Sequence, residues 1–483
     1  MGTTRRETGA RRCAGAPAAA LMGALLTAGC TGPGAGSPAA SSGSSAPSGA
    51  APTGAASTAS AAPSAVGLPG TPVGEAAGWV LDQLAAASGP SPEQAQERFT
   101  PGFLEQVAPT PVSAVFDGLR ALGPWTPTAV QGTETEAVLS LATGSGQAYR
   151  MEVVVDDEGV IGGLVFTEDS VAGREPATSW GAVAEELEGL AEGTHLLAAR
   201  VEEGACVPVE PAADLAAAEP APLGSVFKLY VLGAVAAAVE AGELGWDDEL
   251  VVTDDVRSLP SGELQDAPEG AEVSVREAAG GMIAISDNTA ADLLATAVGR
   301  PAVEEAVTAL GAEDPSGLVP FMTTRELFAL GWGAPEVLER WPDADVEQRQ
   351  ELLEELPPTL EDLDPEDVVT PVWPQDVGWA ASAQDVCRAH LRLQELAARP
   401  GLEPVREVLA QNPGVRLDDE VWSCAAFKGG SAPGVLAGSW YLERADGEEF
   451  VLVGQAADEE AGIDQPVFFA LMEDALALLA EDG

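Results

Sequence analysis

The chain has 483 residues, 46% of them hydrophobic, enough for more than one domain with its own core. Its 77 acidic residues against 23 basic ones give a formal net charge of −54, which argues against nucleic acid or anionic lipid head groups as partners of the surface. With only His195 and His390 available, a multi-histidine metal site is not expected, and no cofactor is implied. At the N-terminus Arg5, Arg6, Arg11 and Arg12 precede the apolar run Ala18 to Ala28, the pattern of a secretory signal rather than of a fold element. From Thr31 to Ala65 only Ala, Ser, Gly, Pro and Thr occur, so this stretch cannot bury a core and reads as a flexible tether.

Residues 73–170 read as a small α+β domain. Helical patterns over Gly74–Ala86, Pro92–Phe99 and Val112–Leu122 are followed by strand patterns over Ala137–Ala142, Ala148–Val155 and Val160–Phe166. Acids such as Asp117 read as surface residues there, and the module as non-catalytic. From Ser179 the order changes. A helix, Trp180–Glu192, precedes strands His195–Val201 and Ala205–Val209, and a large helical region follows over about 224–410. The end carries strand Val421–Phe427, a hairpin of Val435–Arg444 and Glu449–Gln455, and helix Gln465–Ala480. Sheet strands split by a helical block make a cleft between the two, a usual place for a site.

Three short motifs fall in this second region. In Pro222-Leu-Gly-Ser-Val-Phe-Lys-Leu-Tyr-Val-Leu-Gly233, Ser225 and Lys228 stand three apart, so a helix puts them on one face. The Ala-rich run that follows is apolar all round, as in a buried central helix, and a lysine desolvated there can lose its proton and act as a base. Lysine is otherwise absent. Of the 23 basic residues only Lys228 and Lys428 are not arginine. Within the helical block, the capping box Ser274-Val-Arg-Glu277 opens a helix that leads to Ser286-Asp-Asn288. On the last strand of the core lies Phe427-Lys-Gly-Gly-Ser431, where two glycines allow close approach of a ligand backbone. Taken singly each has a plainer reading: an N-cap, an inter-helix turn, a strand-end bulge.

Taken together, and in this order, they resemble the S-x-x-K, S-D-N and K-T-G set of class A β-lactamases and penicillin-binding proteins. The resemblance covers about 179–483 and implies an αβα β-lactamase/transpeptidase-like fold within an α+β chain. It implies Ser225 as nucleophile, Lys228 as its base, Ser286 as proton shuttle and Asn288 as a positioning group. Asp287 would be structural, and Lys428 would tune the electrostatics and attract a substrate carboxylate. The backbone N–H groups of Ser225 and Ser431, beside Gly430, would form the oxyanion hole. Residues 73–170 loosely resemble the ketosteroid-isomerase-like (NTF2-like) domains. Leu26-Thr-Ala-Gly-Cys30 resembles the bacterial lipobox, which implies cleavage of residues 1–29, a lipid on Cys30, a tether over 30–72, and a protein held at the outer face of the cytoplasmic membrane. The whole layout resembles lipid-anchored serine hydrolases of actinobacteria.

The departures from that family matter as much. Lys428-Gly-Gly430 lacks the hydroxyl residue at its third position, with Ser431 one place later, and Gly438 stands where an arginine is common. Gly311 leads within a dozen residues to Met322-Thr-Thr-Arg-Glu-Leu-Phe-Ala-Leu330, so the omega loop and the glutamate that activates the deacylating water are missing. Residues 332–376 form an acidic insertion whose carboxylates read as a solvated face. The expected chemistry is therefore acylation by the amide or ester of a small-molecule or cell-wall-peptide-like substrate, of β-lactamase, D,D-peptidase or esterase type, with slow or no β-lactam turnover. A cell-surface binding lipoprotein without turnover is the alternative. Among Cys206, Cys387 and Cys424, the expected disulfide is Cys387–Cys424.

Overall fold

The computed structural model describes residues 66–482 apart from 108, 157, 361, 362 and 461; the leader, Cys30 and the tether expected over 30–72 lie outside the described residues as far as residue 65. The end of that stretch is not tether: the Val66 N–H donates to the Pro127 carbonyl, Leu68 packs on the core of the first unit, and Pro72 begins a helix. The chain falls into two compact units that meet in sequence at Gly173 and Arg174.

In the first unit the helices open on caps written into the sequence. Thr71 accepts the Gly74 N–H at the head of Pro72–Ala85, Ser91 forms a reciprocal capping box with Gln94 at Pro92–Arg98, and Thr100 accepts the Phe103 N–H at Pro101–Gln106. Each cap is followed by proline at the first helical position, where a missing N–H costs nothing. Helix Pro109–Ala121 follows, then strands Thr126–Gly132, Glu136–Ala142, Ala148–Val155 and Ile161–Glu168, paired antiparallel in chain order. Leu139, Leu141, Met151 and Val153 alternate onto one face and bury against Val73, Val80, Phe99 and Phe116. Pro101–Gln106 and Thr126–Gly132 have no counterpart in the sequence reading. The strand carries Pro127 and a register shift between Pro127 and Ala129, both of which an edge position tolerates.

The second unit is built on an antiparallel sheet in the order Trp422–Ala432, Val435–Arg444, Glu449–Ala457, Gly193–Glu202, Ala205–Pro208, with the short Asp214–Leu215 also paired to Gly193–Glu202. Period-two alternation divides the side chains between two cores. Trp440, Phe450 and Leu452 pack on one face against helices Trp180–Glu188 and Gln465–Glu481. Leu197, Ala199, Val451 and Val453 pack on the other against the helical block inserted between the strands. This is an αβα, β-lactamase/transpeptidase-like architecture, preceded in the chain by the small α+β unit.

At the centre of the block is helix Lys228–Ala241, buried on every side from Lys228 to Ala236 and closed by Gly242 at φ 72°. The stretch Gly224–Ala241 is long and apolar enough to cross a membrane, with mean hydropathy 1.4, but it lies 67% buried within the protein and forms its core. The insertion after residue 332 is more than a solvated face. Its acids Asp343, Glu347, Glu351, Asp364 and Asp367 are exposed, whereas Trp341, Leu352 and Leu353 join the main core.

The expected Cys387–Cys424 disulfide is not formed. Cys387, on helix Ala383–Ala397, is bonded to Cys206, on strand Ala205–Pro208, with Cα atoms 6.5 Å apart. The helix lies on the sheet face beside that strand, a proximity across 181 residues of sequence that spacing alone does not reveal.

Candidate active site

Ser225 lies in a single 3-10 turn, Gly224–Phe227, that feeds directly into the central helix at Lys228. The turn is held by three contacts with the segment Trp379–Ser382. The chain before it, Pro220–Pro222, pairs with Ala380–Ser382, the Leu223 N–H donates to the Trp379 carbonyl at 2.8 Å, and the Phe227 ring stacks on Trp379. From the sheet, Gln455 Nε2 donates to the carbonyls of both Ala221 and Ala381 at 3.2 Å.

The edge strand Trp422–Ala432 presses its glycines against this turn. A Cβ on Gly430 would stand 2.1 Å from the Leu223 oxygen and 2.7 Å from the Ser225 nitrogen. One on Gly224, at φ 47°, would stand 2.6 Å from the Ser431 nitrogen. Glycine at both positions is thus what lets turn and strand touch. The Lys428-Gly-Gly-Ser431 segment is regular ladder rather than a bulge, since strand Trp422–Ala432 runs on past Phe427 and pairs residue for residue from Lys428↔Ser439 to Ser431↔Leu436.

The third motif sits between two helices. Asp287 caps Asn288–Val298 by accepting the Ala290 N–H, and its other oxygen accepts the N–H groups of Glu263 and Leu264. Ser286 adopts φ 60°, a left-handed conformation that costs a residue with a Cβ roughly 1–3 kcal/mol. That conformation accompanies a contact in which both oxygens of Ser286 meet Lys228. Lys228 Nζ donates to Ser286 O at 2.6 Å and lies 3.2 Å from Ser286 Oγ. It also donates to Asn288 Oδ1 at 2.7 Å, while Asn288 Nδ2 donates to Leu259 O, which fixes the amide's orientation. Ser261 Oγ donates to Ser286 O from the neighbouring loop.

Lys428 reaches the same hydroxyl. Its Nζ lies 3.0 Å from Ser286 Oγ and donates to its own chain at Gly429 O, 2.7 Å away. Ser286 Oγ therefore stands between two amines, each at or below 2% exposure. Burial lowers the proton affinity of Lys228 to about 7, against a partial opposing pull from Asp292 and Asp287. Burial, and then the charge of Lys228, holds Lys428 well below its ordinary value. Asp292 lies on the same helix as Asn288 and accepts the N–H groups of Thr324 and Arg325. Its burial pushes it up to about 7.

The structure thus joins Lys228, Ser286, Asn288 and Lys428 in one hydrogen-bonded group. It sets half-buried Ser225 one turn before Lys228, and Gly430 and Ser431 against the turn's backbone. Ser261, Gln455 and Asp292 also belong to this centre and are absent from the sequence reading. Each acts through a fold-dependent contact with no local motif. Among the described residues, no group of three or more metal-ligating side chains occurs.

Residues 210–329 match the family described as the Beta-lactamase enzyme family, and residues 68–161 match the one described as ORF 12 gene product N-terminal. No curated protein matches the chain. Among solved structures, a β-lactamase from Sphaerobacter thermophilus aligns at 17% identity over 63% of this chain and 97% of its own, with a TM-score of 0.44. The class A β-lactamase from Mycobacterium abscessus aligns at 16% identity over 62% and 99%, with a TM-score of 0.42. PBP-A aligns at 13% identity over 62% and 94%, also at 0.42. None of these likenesses bears on the reaction.

Proposed function

We propose that this protein is an active-site-serine hydrolase that opens an amide or ester through an acyl-enzyme on Ser225. The observation that carries the reading is the convergence of the buried amines of Lys228 and Lys428 on Ser286 Oγ, with Ser225 one turn before Lys228. Lys228 Nζ reaches three oxygens, Ser286 O, Ser286 Oγ and Asn288 Oδ1, and its desolvation favours the neutral amine, whose lone pair can receive a proton. With an affinity near 7, that neutral form is well populated at physiological pH. Ser225 Oγ then bonds to the substrate's carbonyl carbon while its proton passes to Lys228. Ser286 Oγ, between the two amines, hands its proton to the leaving group as the scissile bond breaks and takes in its place the proton that Lys228 received, which returns Lys228 to the neutral amine. The N–H groups of Ser225 and Ser431 flank the contact between turn and strand, and would hold the carbonyl oxygen as it becomes negative, a feature typically worth roughly 3 kcal/mol of barrier.

Deacylation is the slow half of the reaction in this reading. The chain passes from helix Arg300–Ala309 to helix Thr324–Phe328 through a short connection whose acids are engaged elsewhere. Glu313 faces Arg388, Asp314 caps its own turn at Ser316, and Glu304, on the helix before, accepts the Phe321 N–H. None of them is left as a base for an incoming water. The leader and Cys30 support lipid anchoring outside the cell, tested by Cys30→Ala, which should release the protein from membranes.

The chemistry is tested by intact mass of the soluble mature protein after incubation with a penicillin, a small acyl ester and a fluorophosphonate, beside Ser225→Ala. A persistent adduct that needs Ser225 is the expected result. Rapid turnover of a chromogenic cephalosporin would sink the slow-deacylation reading, and silence from all three reagents would sink the hydrolase reading.

A further inference from the structure

Under the sheet face that carries Lys428 lies a buried polar chain that takes no part in the scheme above. His390, on helix Ala383–Ala397, is wholly buried, and its Nε2 lies 3.1 Å from Ser439 Oγ. Ser439, also wholly buried, donates its hydroxyl hydrogen to the backbone carbonyl of Lys428 at 3.0 Å. The hydroxyl has one hydrogen, and it is committed to Lys428. The imidazole must therefore be the donor at Nε2, which leaves Nδ1 as the bare acceptor. Nδ1 is buried and has no partner. Burial lowers the ring's proton affinity to about 3, so it stays neutral over the working range.

This is an expensive way to fill a core. An apolar side chain of similar size would avoid burying an unpaired nitrogen, and an alanine at 439 would avoid a buried hydroxyl. What the arrangement provides is a hydroxyl that donates more strongly because it also accepts, directed at the carbonyl of the residue whose amine touches Ser286. Lys428 pairs with Ser439 across the ladder, so the hydrogen bond fixes the backbone from which the lysine stem departs. It also fixes the start of the Gly429-Gly430-Ser431 run that meets the Ser225 turn. Gln455, on the next strand, does the same for the other side of the contact through the carbonyls of Ala221 and Ala381.

We propose that His390 and Ser439 are positioning residues for the reaction centre: the neutral imidazole orients the Ser439 hydroxyl, which holds Lys428 and the following strand in the geometry that acylation of Ser225 requires. The inference rests on the acyl-serine reading above. The test uses the full mature chain with Ser439→Ala and His390→Phe, and with His390→Gln as the variant that retains an N–H donor. Three quantities are measured: the rate of fluorophosphonate labelling at Ser225 per folded molecule, the pH midpoint of that rate, and the thermal unfolding midpoint. The expected result is labelling at least tenfold slower in Ser439→Ala and His390→Phe, a displaced pH midpoint, and recovery to within threefold in His390→Gln. Wild-type rate and wild-type pH midpoint in both variants, whatever their melting temperatures, would overturn it and leave only a packing role. Should His390→Phe fail to fold, Ser439→Ala alone decides, because it removes one atom and leaves the helix untouched. Absence of Ser225 labelling in the unaltered protein is a different outcome, and overturns the hydrolase reading and this inference with it.

Discussion

Gly430→Ala is the sharpest test of the contact between turn and strand. The new methyl carbon would stand 2.1 Å from the Leu223 carbonyl oxygen and 2.7 Å from the Ser225 nitrogen, both of them backbone atoms. Carbon and carbonyl oxygen approach no closer than about 3.3 Å even in favourable contacts, so the strand and the turn must separate by roughly 1 Å. Neither side yields easily, since the turn is tied to Trp379 and Gln455 and the strand is paired across its length. Overpacking of this kind costs about 1–3 kcal/mol of stability. Its effect on the reaction should be larger, because a displacement of about 1 Å between nucleophile and oxyanion donors can cost roughly a hundredfold in rate. Gly429→Ala is the internal control. Its methyl would meet the far end of the Phe427 ring at 2.9 Å, and that side chain can turn aside. Time courses of fluorophosphonate labelling at Ser225, with thermal melts of the same samples, should give about a hundredfold slowing for Gly430→Ala and a few-fold slowing for Gly429→Ala. Equal labelling rates for Gly430→Ala and the unaltered protein would refute the claim that this contact assembles the site.

The pH dependence follows from the signs of the charges around Lys228. Acylation of Ser225 should rise with pH through a midpoint near 7 as Lys228 loses its proton, and Asp292→Asn should move that midpoint down, because the carboxylate's charge raises the lysine's affinity. Labelling rates from pH 5 to 9 check this, and an unmoved or raised midpoint contradicts it. His390 sets a second slope, in stability. Unfolded, the ring binds a proton at its ordinary value of 6.5; folded, it does so only at about 3. The unfolded chain thus holds the extra proton between those limits, and stability is lost as pH falls through that window, by roughly 5 kcal/mol over its full width. Urea unfolding at pH 7 and pH 4 should show a smaller loss for His390→Phe than for the unaltered chain, and an identical loss would contradict the burial argument.

The sequence displays what is local and hides what is distant. Helix starts are legible because caps are adjacent residues, as in Ser274 with Glu277, and strands such as Val435–Arg444 are legible because they are long, apolar and bounded by turn residues. The five candidate site residues Ser225, Lys228, Ser286, Asn288 and Lys428 can be picked out because each lies in a short motif. The left-handed turn at Ser286 cannot, since nothing in Ile-Ser-Asp marks a positive φ without glycine. The glycines at 429 and 430 suggest an irregular strand end, and the reason for Gly430 lies in a turn some 200 residues away. The Cys206–Cys387 bond and the His390–Ser439 pair have the same character, with partners chosen by how helix Ala383–Ala397 lies on the sheet. Asp292 reads as one more acid on an acidic chain until its burial is known.

The near-absence of lysine turns composition into an argument about mechanism. Of 23 basic side chains only two are lysines, and both amines end within hydrogen-bond reach of one hydroxyl, Ser286 Oγ. Elsewhere arginine meets the need for a cation, as in the pairs Arg174–Asp474, Arg300–Glu326 and Arg406–Glu443. A guanidinium cannot take the part proposed for Lys228. It keeps its proton at every accessible pH, has no lone pair to receive another, and spreads five donors where the pocket offers the three acceptor contacts of Ser286 and Asn288. Lys228→Arg should therefore abolish labelling of Ser225 and leave no pH at which it recovers. Lys228→Ala, which empties the pocket, should retain a slow rate that an added small primary amine partly restores. Labelling of Lys228→Arg that climbed with pH through the neutral range would show that some other group takes the proton, and would remove Lys228 from the role of base.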